Sequence, residues 1–160
     1  MIYRNNSKLA AAVGFDYELV SRVETQLSQN TKQYPAEFYP IGLSDDAIDT
    51  SLIDFYEILS SISNKNDHRE ITICDIGASY CKMAFVAQKF FPNIRVISIE
   101  PVIERISNAM SRLGKTKHHF INAKFNPSLI SEFKIDFELV SRCCKTSVYF
   151  NIKSQVLEFK

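Results

Sequence analysis

Apolar residues at spacings of three and four open the chain. Leu9, Val13, Tyr17, Val20, Val23 and Leu27 fall on one face of a helix beginning near Ser7. Asn6 or Ser7 supplies the side-chain oxygen that accepts a free N–H of its first turn. Gly14 costs such a helix roughly 1 kcal/mol relative to alanine, so a break is expected near it. From Gln33 to Ser44 the pattern is lost. Pro35 and Pro40 hold the residues before them extended, and Tyr34, Phe38 and Tyr39 crowd the stretch. It reads as a connector that packs its rings on the domain, or as an aromatic lid over a ligand. A second helix is expected from Asp45 to Ser63, capped by Ser44 or Asp45, with Ile48, Leu52, Phe55, Leu59 and Ile62 as its apolar stripe. Ser63 to Glu70 is a polar surface loop.

The period then changes. Ile71–Cys74 is a short apolar run of the kind found in a strand buried on both faces. Lys82–Phe91 is a helix ended by Pro92 and Asn93. Arg95–Ile99 is a second strand, and Val102–Leu113 a helix stopped by Gly114. Strand, helix and strand at this length require a crossover, so these strands are expected to be parallel. His118–Lys124 reads as a third strand, Ser128–Phe133 as a short helix and Phe137–Val140 as a fourth strand. Ser147–Phe150 and Val156–Phe159 add one more strand and a terminal helix or hairpin. The heptamer Asp16–Arg22 nearly recurs at Asp136–Arg142, the first copy in a helical pattern and the second in a strand-like one. Residues 1–66 thus form an N-terminal helical region and 67–160 an α/β region, together about one domain's length.

Composition changes this picture little. The chain has 160 residues, 46% of them apolar, and a net charge of +1, so neither a nucleic-acid surface nor a charged membrane surface is expected. No window approaches the roughly 20 apolar residues of a membrane span, and the N-terminus reads as mature protein. Cys74, Cys81, Cys143 and Cys144 form no CxxC pair, and His68, His118 and His119 complete no zinc spacing. Unpaired thiols fit a reducing cytoplasm, and Cys74 is expected to be buried. Cys143–Cys144 reads as an in-out pair on a strand or as a redox pair. His118 and His119 are expected at the surface, at the wrong end of the third strand for a ligand crevice.

Candidate chemistry lies in Ile71–Gly114. Ligands of a parallel sheet bind at the carboxyl ends of its strands. Gly77 lets the chain turn just after the first strand, and the amides from Ser79 to Lys82 open the next helix with the positive end of its dipole. Glu100 ends the second strand, where a carboxylate takes both hydroxyls of a ribose. A dinucleotide fingerprint needs three glycines, and the run Gly77–Ala78–Ser79–Tyr80–Cys81–Lys82 has only the first. Asp75, two residues before that glycine, would repel a pyrophosphate. These residue types favour a cationic, phosphate-free cofactor such as S-adenosylmethionine over NAD.

The stretch DIGASYCKMAFVAQKFFPNIRVISIEPV resembles the class I S-adenosylmethionine-dependent methyltransferases, and among them the FkbM type. Asp75, Gly77 and Ala78 match its first motif, D-x-G-A-N-x-G, with Ser79 for the asparagine and Cys81 for the last glycine. Ile99–Glu100–Pro101 matches the second motif apart from its aromatic residue, and Asn122–Ala123 resembles the third cofactor-contact region. The resemblance implies a Rossmann-like, mostly parallel sheet with a shortened C-terminal half. It implies that Asp75 and Gly77 line the methionine part, Glu100 holds the ribose and Asn122 lies beside the adenine. The expected activity is methyl transfer from S-adenosylmethionine to an oxygen of a small molecule or glycan. A non-catalytic interaction module of the same fold and a dinucleotide-dependent oxidoreductase are the competing expectations. A sheet edge left open would favour pairing of two copies as a homodimer.

Overall fold

The computed structural model describes residues 6–30, 33–34, 50–67, 69–140, 148–152 and 155–159. The aromatic and proline stretch after Tyr34, and Cys143–Cys144, lie outside them. The N-terminal helix is broken near Gly14 (φ +74°) into α1, Asn6–Val13, and α2, Tyr17–Gln29. Asp16 caps α2, its Oδ1 accepting the Leu19 N–H at 3.0 Å. The next helix, α3, runs Leu52–Lys65 and starts later than its stripe implies. The expected caps Ser44 and Asp45 lie outside the described residues. Ser51 instead makes a capping box with Asp54, each side chain bonding the other residue's N–H.

The sheet follows: β1 (Ile71–Ile76), α4 (Lys82–Phe90), β2 (Ile94–Ile99), α5 (Ile103–Leu113), β3 (His119–Ile121), a 3-10 turn at Pro127–Ile130 and β4 (Phe137–Val140). The terminal pair is a hairpin, β5 (Val148–Ile152) antiparallel to β6 (Gln155–Phe159), so the alternative of a terminal helix is not taken. The four-stranded sheet has the order β3-β2-β1-β4 and is parallel throughout. Ile71 pairs with Ile94 and Ile76 with Ile99 on one side of β1, while Ile73 pairs with Phe137 on the other. The chain therefore winds outward from β1 to β3 and then jumps to the far side of β1. This is the reversal of a doubly wound α/β sheet, whose crevice opens at the strand carboxyl ends.

The two faces differ. One carries Ile71, Ile73, Ile94, Val96, Phe137 and Leu139 into a core shared with α1, α3, α4 and α5. Each fully buried side chain of this size contributes about 1.5–3 kcal/mol. The other face carries Cys74, Ile97 and Ile99 under the β3–β4 connection, where Ile130 is buried and Phe125, Leu129 and Phe133 only partly so. A single 3-10 turn stands here instead of the expected short helix.

The heptamer shows how context decides structure. In its first copy Asp16 starts a helix. In the second, Asp136 Oδ2 accepts the Thr72 N–H of β1 at 2.9 Å, Oδ1 lies 3.5 Å from Arg69, and the residues that follow form β4.

Candidate functional site

The turn leaving β1 is fixed residue by residue. The N–H groups of Gly77 and Ala78 both donate to the Ile99 carbonyl at 3.0 Å, which ties the turn to the end of β2. The chain adopts positive φ at alternate residues: Gly77 (+73°), Ser79 (+49°) and Cys81 (+56°). Side chains disfavour this region by roughly 1–2 kcal/mol, so Ser79 and Cys81 keep a backbone shape that glycine would adopt without cost. Cys81 is the cap residue of α4, and its N–H donates to the Ala78 carbonyl at 2.7 Å. Its side chain is fully buried and belongs to the core, as do Ala78 and Tyr80.

Glu100 meets this turn directly. Its Oε2 accepts the Ser79 N–H at 2.8 Å and its Oε1 the Val102 N–H at 3.0 Å. Arg105 stands 3.7 Å from Oε1. The residue is only 3% exposed. Burial raises its pKa, against the pull of the Val102 amide, Arg105 and the Ser79 amide. Asn122, at the end of β3, donates through Nδ2 to the carbonyls of Glu100 (2.9 Å) and Pro101 (3.1 Å), bracing the β2–α5 turn. Ala123 follows it, half-buried. Asp75 is fully buried within β1, paired in register with Ser98 of β2 and Leu139 of β4.

The fold therefore brings Gly77, Ala78, Ser79, Glu100, Pro101 and Asn122 into one corner at the carboxyl ends of β1, β2 and β3. Asp75 lies just beneath, and the Cys81 thiol faces the core. The amides from Ser79 to Lys82 do not all face the crevice, since those of Ser79 and Cys81 are bonded within the chain. The Lys82 side chain is buried and its Nζ lies over the rings of Phe15 and Tyr17, at 5.5 and 5.2 Å.

Three residues that spacing did not single out complete the corner. Arg105 makes a two-pronged pair with Glu24 of α2, at 2.7 and 3.0 Å, and Tyr80 donates to Glu24 at 2.8 Å. Burial would lower the Arg105 pKa, but the bond and charge of Glu24 outweigh it and raise it. Burial, then Glu24, raises that of Tyr80. Glu24 lies 76 positions before Glu100, and nothing in the sequence pattern links them.

Of the two histidines only His118 differs from expectation. His119 is exposed, its ring edge-on to Phe133. His118 is buried, its Nδ1 accepting the Val96 N–H at 3.0 Å, because the ring fills the place beside β2 just before β3 pairs with it. Among the described residues no group of three or more His, Cys, Asp or Glu side chains could hold a metal, and no helix is long and apolar enough to cross a membrane.

No family model matches the chain, and no curated protein matches it. Among solved structures it is similar to a Pyrococcus horikoshii protein assigned as an RNA methyltransferase (17% identity, 68% of this chain and 65% of that one, TM-score 0.44). It is similar also to the precorrin-6y C5,15-methyltransferase of Geobacter metallireducens (17%, 68% and 58%, 0.45) and to the plantazolicin methyltransferase BpumL in complex with S-adenosylhomocysteine (19%, 82% and 44%, 0.43). The chain spans 44–65% of the length of these three proteins.

Proposed function

We propose that the chain binds S-adenosylmethionine at the carboxyl ends of β1 and β2 and transfers its methyl group to an oxygen of a small molecule or glycan. The observation that carries this reading is the 2.8 Å bond from the Ser79 N–H to Glu100, which sets the acid ending β2 against the turn leaving β1. A nucleoside site on a parallel sheet needs that juxtaposition. The donor set fits the cofactor's charge. Asp75 and Glu100 are both buried carboxylates at strand ends, an environment that favours a cation over a phosphate. In this reading Asp75, Gly77, Ala78, Ser79 and the backbone at Cys81 line the methionine part. Glu100 and Pro101 meet the ribose, and Asn122 and Ala123 flank the adenine. Bound S-adenosylmethionine would supply a sulfonium methyl group. The protein's share is alignment and exclusion of water, since an in-line displacement needs these more than an acid or base. Buried thiols at Cys74 and Cys81 accord with work in a reducing cytoplasm.

Calorimetry tests the reading. Heat is expected with both S-adenosylmethionine and S-adenosylhomocysteine, lost in Glu100→Ala and reduced in the isosteric Glu100→Gln while far-UV circular dichroism is retained. The absence of heat in the unaltered protein would refute it.

One observation favours a second reading, an interaction module of the same fold without catalysis. Glu100 is buried with both oxygens already engaged, as suits a structural brace. Turnover of labelled methyl onto any acceptor would rule this out. Pairing of two copies along a sheet edge belongs to this second reading, and a strictly monomeric species in light scattering would count against it.

A further inference from the structure

Polar ties join α2 to the molecule alongside a modest apolar contact. Within α2 only Leu27 is buried, and Tyr17, Val20 and Val23 are partly so. Its flanks and middle are tied to α5 at three places. At its start, Arg112 reaches Asp16 at 3.3 Å and the Gly14 carbonyl at 3.0 and 3.2 Å. In its middle, Glu24 takes Arg105 through two bonds. Beyond its end, the Tyr34 hydroxyl donates to Glu104 at 2.6 Å and accepts the Ile103 N–H at 3.3 Å. The ties fall in opposite order along the two helices, so α2 lies antiparallel across α5.

This helix is linked to the candidate ribose carboxylate through a single side chain. Arg105, the partner of Glu24, is also the cation beside Glu100, and Tyr80 of the turn after β1 bonds the same Glu24. Arg105 is thus the Glu100 neighbour that α2 holds in place, whereas the Ser79 and Val102 amides bind Glu100 independently of it. Gly14 supplies a joint at the other end. A Cβ there would meet nothing within 4 Å, so the left-handed backbone, not crowding, is what asks for glycine.

We propose that α2 is a strap, jointed at Gly14 and clasped through Glu24 on Arg105 and Tyr80, that lifts to admit a nucleoside to Glu100. The ligand in this proposal rests on the nucleoside reading above; the motion does not. Lifting α2 exposes one fully buried side chain, Leu27, and three partly buried ones, whereas opening the sheet exposes the buried rows of β1 and β2, so lifting requires less free energy.

Hydrogen exchange with mass spectrometry on the full chain tests the motion, and stopped-flow binding of S-adenosylhomocysteine tests the gate. Peptides of α2 are expected to exchange ahead of those of β1. In Glu24→Gln they should exchange about tenfold faster, with β1 unchanged, as loss of one charge-assisted tie implies. The association rate of S-adenosylhomocysteine should rise with it. Tyr80→Phe, which removes a single hydroxyl bond, gives the same comparison with a smaller factor should Glu24→Gln fail to fold. Exchange of α2 and β1 together would overturn the strap. An unchanged association rate despite faster α2 exchange would overturn the gate. If S-adenosylhomocysteine binds neither protein while α2 still opens first, the nucleoside reading fails and the strap stands.

Discussion

Acid should weaken this fold through His118, by an amount the structure sets. The ring is 6% exposed, and its Nδ1 accepts the Val96 N–H at 3.0 Å, so the neutral form carries its proton on Nε2. Burial first, then the charges of Lys117 and His119, lower its pKa from 6.5 to about 4. In the unfolded chain His118 takes up its proton as the pH falls through 6.5, but in the folded protein only near 4. Between those values the unfolded state holds more protons, so stability falls as the pH falls. Crossing the whole window costs roughly 3 kcal/mol, and going from about pH 7 to about pH 4.5 roughly 2 kcal/mol. His118→Asn keeps an acceptor near the place of Nδ1 and does not titrate. Urea unfolding followed by circular dichroism at the two pH values gives the loss for each protein, and all other titrating groups cancel in the difference. The original protein is expected to lose roughly 2 kcal/mol more than the variant. Equal losses would refute the assignment of a buried, neutral His118.

At Cys81 the usual order of glycine and alanine should collapse. As a cap residue outside the helix, Cys81 gives alanine no helix-interior advantage; a buried methyl favours alanine by about 0.8 kcal/mol and left-handed φ disfavours it by roughly 1–2 kcal/mol. Cys81→Gly is therefore expected to match Cys81→Ala or exceed it by up to about 1 kcal/mol in urea unfolding, and an alanine advantage beyond about 0.5 kcal/mol would contradict the positive φ. Cys74 is buried with its pKa pushed up to about 12, by burial and then by Asp75 and Glu138. Its peptide should carry no iodoacetamide label in the native protein near neutral pH and full label after unfolding, as read by mass spectrometry.

The sequence by itself determined the elements and most of their order. The short apolar runs at Ile71 and Arg95, the helix between them and the stop at Gly114 follow from local patterning, and all four parallel strands lie where that patterning puts them. The candidate corner was legible in outline because Gly77, Glu100 and Asn122 each follow a strand, and a parallel sheet gathers such positions at one edge. Tertiary structure decided what those residues touch. Glu24 meets Arg105 and Tyr80 only because α2 lies across α5, a contact that leaves no periodic trace. His118 is buried because β3 pairs with β2 just after it, although its sequence neighbours Lys117 and His119 are polar. The heptamer shared by α2 and β4 makes the same point. At Asp16 the carboxylate finds the free N–H of a helix start, while at Asp136 it finds the N–H of a neighbouring strand. Local propensity differs too little between the copies to choose, so the partner each segment packs against sets its structure.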